Sequence, residues 1–174
     1  MSSLPDTLSR SDHLNVADRR VERWILRAGV ALLVALLVLA LLNTFGQRPA
    51  TTSAVGASGR LQVYAPTRAR SGIVYAARFR IDAFRSLARA TLILDSGWAE
   101  GYTVNGLMPQ PVTEGADNGR LVLGFGHIPR GSHLTFYLSL QVNPTNVGHR
   151  SQDVVLADGS DVIATVHRTI TIFP

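Results

Sequence analysis

The chain has no cysteine among its 174 residues. That excludes disulfides, zinc–thiolate sites, iron–sulfur clusters and cysteine nucleophiles. It has no lysine either, since all 17 basic residues are arginine. Schiff-base lysines and the phosphate-binding Walker lysine are thereby excluded, and the bias reads as the codon usage of a GC-rich bacterial genome. Charge is sparse at 17% and aromatics at 7%, while 46% of residues are hydrophobic, too apolar for a disordered chain. The net charge of +5 is spread along the sequence. It implies mild attraction to anionic surfaces and not a nucleic-acid footprint. The length fits one ordinary domain plus an appendage.

The appendage is visible. Every residue from Ala28 to Leu42 is apolar, and the run extends outward to Trp24 and Phe45. These 22 residues would span about 33 Å as a helix, against a hydrocarbon core of about 30 Å. Arg27 lies where a long side chain snorkels to headgroups, and Trp24 and Phe45 lie where interfacial aromatics are expected. Small-residue cleavage candidates begin only near Ser53, so an uncleaved signal-anchor is expected over a removed signal peptide. Five arginines, Arg10, Arg19, Arg20, Arg23 and Arg27, precede or open the span, and only Arg48 and Arg60 follow within 20 residues. The positive-inside rule then places residues 1–23 in the cytoplasm and the C-terminal bulk outside a bacterial cell membrane, as a single-pass protein. Arg19, Arg23 and Arg27 share a helical stripe if the helix starts near Asp12, and are candidates for contact with lipid headgroups. The bland reading of the same arginines is a topology signal.

Residues 46–59 are small and polar without period, and predict a flexible linker. Residues 60–174 carry strand-like alternation. Leu134, Phe136, Leu138, Leu140 and Val142 share one parity, with Thr135, Tyr137, Ser139 and Gln141 on the other. Tyr75, Ala77, Phe79 and Ile81 alternate with Ala76, Arg78 and Arg80. Weaker runs and intervening turn signals such as Asn105-Gly106, Asp117-Asn118-Gly119 and Asp158-Gly159 predict about nine antiparallel strands. A short helix over 83–87 is allowed. If the strands alternate strictly, loops 66–72, 95–101, 114–120 and 143–150 gather at the end far from the membrane. Loops 82–87, 106–110, 127–132 and 158–161 then face it.

The stretch from Asn118 to Phe136, with Gly124-Phe125-Gly126 closing one strand and Pro129-Arg130-Gly131 leading into the next, resembles the middle of bacterial Ig-like surface modules of the CARDB type. The segment Ala90–Trp98 is similar to the strand and turn before it. The resemblance implies an Ig-like antiparallel sandwich outside the membrane, used for adhesion or assembly. It implies no catalytic residue. The expected fold is therefore a single N-terminal transmembrane helix over 24–45 followed by an all-β Ig-like sandwich.

No motif specifies chemistry. Asp158-Gly159-Ser160-Asp161 lacks the ligands of an EF-hand loop. The histidines form no HExxH pair, though His127 and His133 flank one loop and Asp158 and Asp161 fall at the same end. No GxSxG elbow and no phosphate-cradling glycine loop is present, and no cofactor is implied. The most distinctive loop is Asn143-Pro144-Thr145-Asn146-Val147-Gly148-His149-Arg150. Its Asn143, Asn146, His149 and Arg150, with Trp98 of a Ser-Gly-Trp turn, are the candidate partner-binding residues. The bland alternative is a capped turn over a folded-in tryptophan. The leading expectation is a non-catalytic accessory subunit of an envelope membrane complex. It would bind an integral-membrane protein or a second copy of itself, without nucleic acid. A surface module for envelope polysaccharide or anionic lipid, drawing on Arg68, Arg70 and Arg150, stands second. An extracytoplasmic hydrolase stands third.

Overall fold

The structure is a computed structural model that describes residues 16–42 and 46–174. The chain divides into two compact units, residues 1–44 and 45–174.

The first unit contains helix α1, Val16–Leu41. Straight-chain leucines and alanines dominate it, and these are strong helix formers. Its Val21–Leu41 stretch, with mean hydropathy 2.5, is long and apolar enough to cross a membrane. The helix carries Arg19, Arg23 and Arg27 at i, i+4, i+8. The Arg27 guanidinium lies 5.8 Å from the Trp24 ring centroid. The side chain of Arg19, the expected cap Asp12 and residues 43–45 of the expected span lie outside the described residues.

The second unit is an antiparallel β sandwich. Its strands are β1 (Pro49–Val55), β2 (Gly59–Pro66), β3 (Arg68–Arg70), β4 (Val74–Ala83), β5 (Leu87–Leu94), β6 (Tyr102–Met108) and β7 (Thr113–Asp117). They continue as β8 (Arg120–Ile128), β9 (His133–Val142), β10 (Gly148–Ser151), β11 (Val154–Asp158), β12 (Asp161–Val166) and β13 (Thr169–Phe173). A first sheet has the order β1-β2-β4-β9-β6 and a second β12-β11-β5-β8-β7. A three-stranded sheet, β10-β13-β3, has the one parallel pairing, between β13 and β3. The alternation read in β4 and β9 is realised: Tyr75, Ala77, Phe79, Ile81, Phe136, Leu138 and Leu140 are buried, facing Leu92, Leu94, Leu123, Val154 and Leu156. Phe79 centres the aromatic core, 5.2 Å from Trp98 and 5.6 Å from Phe136.

Four expectations are corrected. Residues 49–55 of the expected linker are strand β1, paired with β2 from Pro49↔Pro66 to Val55↔Arg60. Small side chains at Ala50, Thr52 and Ala54 need only half-burial, so no apolar period marks them. Asn105-Gly106 is no turn: a bulge between Val104 and Gly106 carries β6 on to Met108. Residues 84–86 between β4 and β5 are not helical. The run 162–173 is two strands in different sheets.

The extra strand also inverts the end-to-end argument. Loops 66–72, 95–101 and 143–150 do gather, through Gly72 N–H to Val142 O (2.9 Å) and Asn143 N–H to Gly101 O (3.0 Å). The 117–120 hairpin joins them, Gly119 packing near Ser96. Loops 82–87, 127–132 and 158–161 gather at the other end, where Ala83 N–H bonds Ser132 O (3.0 Å) and Asp158 accepts from the Arg89 N–H. But the chain enters the sandwich at Pro49, beside Pro66. The end expected to be far from the membrane is therefore the end that carries Pro49, where β1 begins.

Candidate functional site

At that entry end, the sequence candidates converge on a packed cluster and not on an open recognition loop. Trp98, in a single 3-10 turn capped by Asp95, is fully buried. Its Nε1–H donates to Gln152 O at 2.9 Å. A tryptophan so placed anchors the core and presents nothing to a partner. Asn146 is 4% exposed. Its amide donates to Gly101 O (3.0 Å) while its Oδ1 accepts from Arg150 Nε (3.2 Å). Asn143 accepts from the Thr103 hydroxyl at 3.1 Å. These three residues close the loop onto the sandwich, which is the capped-turn alternative. Of the five candidate residues only His149 is exposed, in one row with Thr171 and Arg68 across β10, β13 and β3. Arg150 is opposite the buried Ile170, on the reverse face. The Arg68/Arg70/Arg150 patch is therefore split.

Beneath this end lies a buried polar cluster. Gln152 is fully buried, and its amide donates to Tyr75 Oη (3.2 Å) and Gly97 O (3.2 Å). The Arg168 guanidinium, 6% exposed, stacks 5.0 Å from the Trp98 ring centroid and donates to Ala65 O (3.2 Å) and Pro66 O (2.8 Å). Burial pushes its pKa down, with the two tyrosine hydroxyls acting in the opposite sense. Among the described residues its Nε and Nη1 and Gln152 Oε1 find no hydrogen-bond partner. Burial pushes the Tyr75 and Tyr102 hydroxyls above the ordinary tyrosine value of 10.0; the Gln152 bond partly offsets this for Tyr75. The folded state holds both protons where the unfolded chain loses them, so this contribution is complete below pH 10 and is lost as pH rises beyond it. Stability should fall above about pH 10, by up to ~1.4 kcal/mol per pH unit for each tyrosine. Urea midpoints from pH 8 to 11 would show the slope, and Tyr75→Phe should flatten it. An identical slope in that variant would contradict the assignment.

Histidine pairs exist but are bare. Ser86 Oγ lies 2.9 Å from His127 Nε2, with both residues exposed. Asp158 is at the same end of the sandwich, as expected, with its carboxylate accepting from the Ala88 and Arg89 amides. A serine beside an imidazole without an orienting carboxylate lacks the third member of a nucleophilic triad. His167 Nδ1 meets Asp153 Oδ2 at 2.7 Å on the outer side of the second sheet. Among the described residues no three His, Asp or Glu side chains converge as metal ligands.

The open site is elsewhere: the outer face of β1-β2-β4-β9-β6. Register places Thr51, Tyr64, Arg78, Tyr137 and Met108 in one row across the five strands. Ser53, Gln62, Arg80 and Thr135 form the next row. Between them runs an open groove of about 270 Å³, lined by Thr51, Gln62, Tyr64, Arg78, Arg80, Thr135 and Tyr137. The Arg78 guanidinium stacks 5.0 Å from the Tyr64 ring centroid. Arg80 Nε pairs with Asp82 at 2.8 Å, and Arg60 lies 6.0 Å from the Phe84 ring centroid. Sequence reading put Arg78, Arg80 and Tyr137 on solvent parities correctly. It could not align them, because register across β2, β4 and β9 is set by long-range pairing.

No protein-family model matches the chain, and no curated protein matches it in sequence. Among solved structures it is similar to the solution structure of CaCohA2 from Clostridium acetobutylicum. The identity is 14%, the match covers 62% of this chain and 86% of that one, and the TM-score is 0.45. It is also similar to a non-cellulosomal cohesin from the hyperthermophilic archaeon Archaeoglobus fulgidus, at 16% identity, 72% and 93% coverage, and a TM-score of 0.41.

Proposed function

We propose that this chain is a membrane-anchored, non-catalytic binding module, an accessory subunit of an envelope membrane complex. Its sandwich takes a protein partner on the outer face of the first sheet. The observation that carries this reading is the exposed Tyr64–Arg78–Tyr137 row. Tyrosine and arginine concentrate binding energy at protein interfaces, because each offers large contact area with a polar end. Here they stand on the β2, β4 and β9 strands, whose opposite faces are core, so little ordering is needed on binding. Anchoring draws on the apolar Val21–Leu41 stretch, and an outward-facing sandwich draws on the arginines that precede it. The polysaccharide or anionic-lipid alternative has less support, because Arg150 is half-buried and on the opposite face from Arg68. The hydrolase alternative draws, among the described residues, on the Ser86–His127 pair, which has no carboxylate beside it.

The test is site-specific photocrosslinking in native membranes, with a photoreactive residue at Tyr137 or, on the second sheet, at Val155. A discrete protein adduct from position 137 and none from 155 is the expected result. Adducts only from 155, or none from either, would refute the assigned face.

A further inference from the structure

We infer that the groove between the two rows receives a carboxylate from an acidic, extended segment of the partner protein, and that Arg78 is the group that grips it. This rests on the binding-module reading above and narrows it to one chemistry.

Charge is the first argument. The face carries three guanidinium groups, Arg60, Arg78 and Arg80, against the one carboxylate of Asp82. A basic face of this kind attracts acids and slows the escape of a bound one. The arginines differ in what they already hold. Arg80 already has its Nε on Asp82 at 2.8 Å. Arg78 is in no ion pair among the described residues, and its described contact is the stack on Tyr64. Stacking holds the planar fork in place over the groove while leaving its N–H edges free. A guanidinium in that state is ready for bidentate carboxylate binding. Asp82 repels a second acid at the Arg80 side, so the grip falls on Arg78.

Shape is the second argument. Neighbouring strands are about 4.8 Å apart and same-face residues along a strand about 6.8 Å apart. The groove is thus about one extended chain wide, and the row from Thr51 to Met108 is about 19 Å long. At its far end Met108 is 72% exposed beside Tyr137 at 46%. An apolar side chain a few residues from the acid has a place to pack there. A glycan carries no such side chain, which favours a peptide.

The experiment uses the full chain in nanodiscs of uncharged phosphatidylcholine. The probes are a fluorescent ten-residue peptide of glutamate and serine with one leucine, the same peptide with glutamine for glutamate, and a ten-unit galacturonate oligomer. The acidic peptide should bind. Arg78→Gln should weaken it about tenfold, the loss of one charge-assisted bidentate contact. Arg130→Gln should leave affinity within about twofold: its neighbour Gly131 bonds Ala83, five residues along β4 from Arg78, about 16 Å away, where exposed charges are largely screened. The glutamine peptide should bind at least about tenfold more weakly. Equal losses in Arg78→Gln and Arg130→Gln would overturn the inference in favour of diffuse attraction. Tighter, Arg78-dependent binding of galacturonate would overturn it in favour of a glycan. Crosslinking in native membranes separates the two levels. A partner retained by Arg78→Gln at wild-type yield overturns the Arg78 grip and leaves the binding module standing. No partner on the wild-type chain removes the module reading, and the peptide titration still decides the groove.

Discussion

Trp98→Ala should lower the stability of the sandwich by about 3–5 kcal/mol, the range for truncating a fully buried tryptophan. For a domain of this size that is roughly 10–20 °C in Tm. The ring has no exposed surface and packs on Phe79 at 5.2 Å. Its loss also strips the Arg168 guanidinium of the aromatic face it lies over at 5.0 Å, and leaves Gln152 O without its 2.9 Å donor. Trp98→Phe separates these effects. It keeps most of the apolar volume and removes the donor, so it should cost about 1–3 kcal/mol, the penalty for a buried acceptor left unpaired. Thermal unfolding of the full chain in mild detergent, followed by circular dichroism of the strands, gives both values. A loss below about 1 kcal/mol for Trp98→Ala, the scale of an exposed position, would contradict the central placing of the ring.

The same residue shows where sequence reading stops. Ser96-Gly97-Trp98 reads equally well as an exposed turn or an inward one. What turns it inward lies 54 residues along the chain, at Gln152. Asn146 is alike: its amide is satisfied by Gly101, 45 residues away. Strands β4 and β9 were legible because one face of each is core and the other is solvated, which writes strict alternation into the chain. Arg168 left a signal too. Ala164, Val166, Arg168, Ile170 and Ile172 share one parity, and all are buried. An arginine on the inward parity of an apolar run marks the point where the chain passes from the second sheet to the third. The proposed binding face was half legible, its residues assigned to solvent one strand at a time but never brought together.

Strand β1 was hidden altogether, and Gly56→Ala tests it most sharply. Gly56 closes the β1–β2 hairpin, its N–H bonding Gly59 O at 2.8 Å. A Cβ there would fall 1.9 Å from the backbone oxygen of Ile163 in β12. That oxygen belongs to a strand and has no rotamer to yield, so β1 or β12 must move. The expected cost is about 3 kcal/mol, the upper part of the usual range for overpacking. Gly115→Ala is the control: a Cβ there meets nothing within 4 Å, and the change should stay within about 0.5 kcal/mol. Hydrogen exchange locates the damage. In Gly56→Ala the amides of residues 50–55 and 161–166 should lose protection first, while those of β4 and β9 keep theirs. Were residues 46–59 the mobile linker their composition suggests, Gly56→Ala would be as silent as Gly115→Ala, and residues 50–55 would exchange fast in the wild type. The outcome bears on binding as well. Thr51 and Ser53 on β1 extend the rows led by Arg78 and Arg80, so a loosened β1 opens one end of the groove. Acidic-peptide affinity should fall in Gly56→Ala, although the substitution removes no side chain that lines the groove.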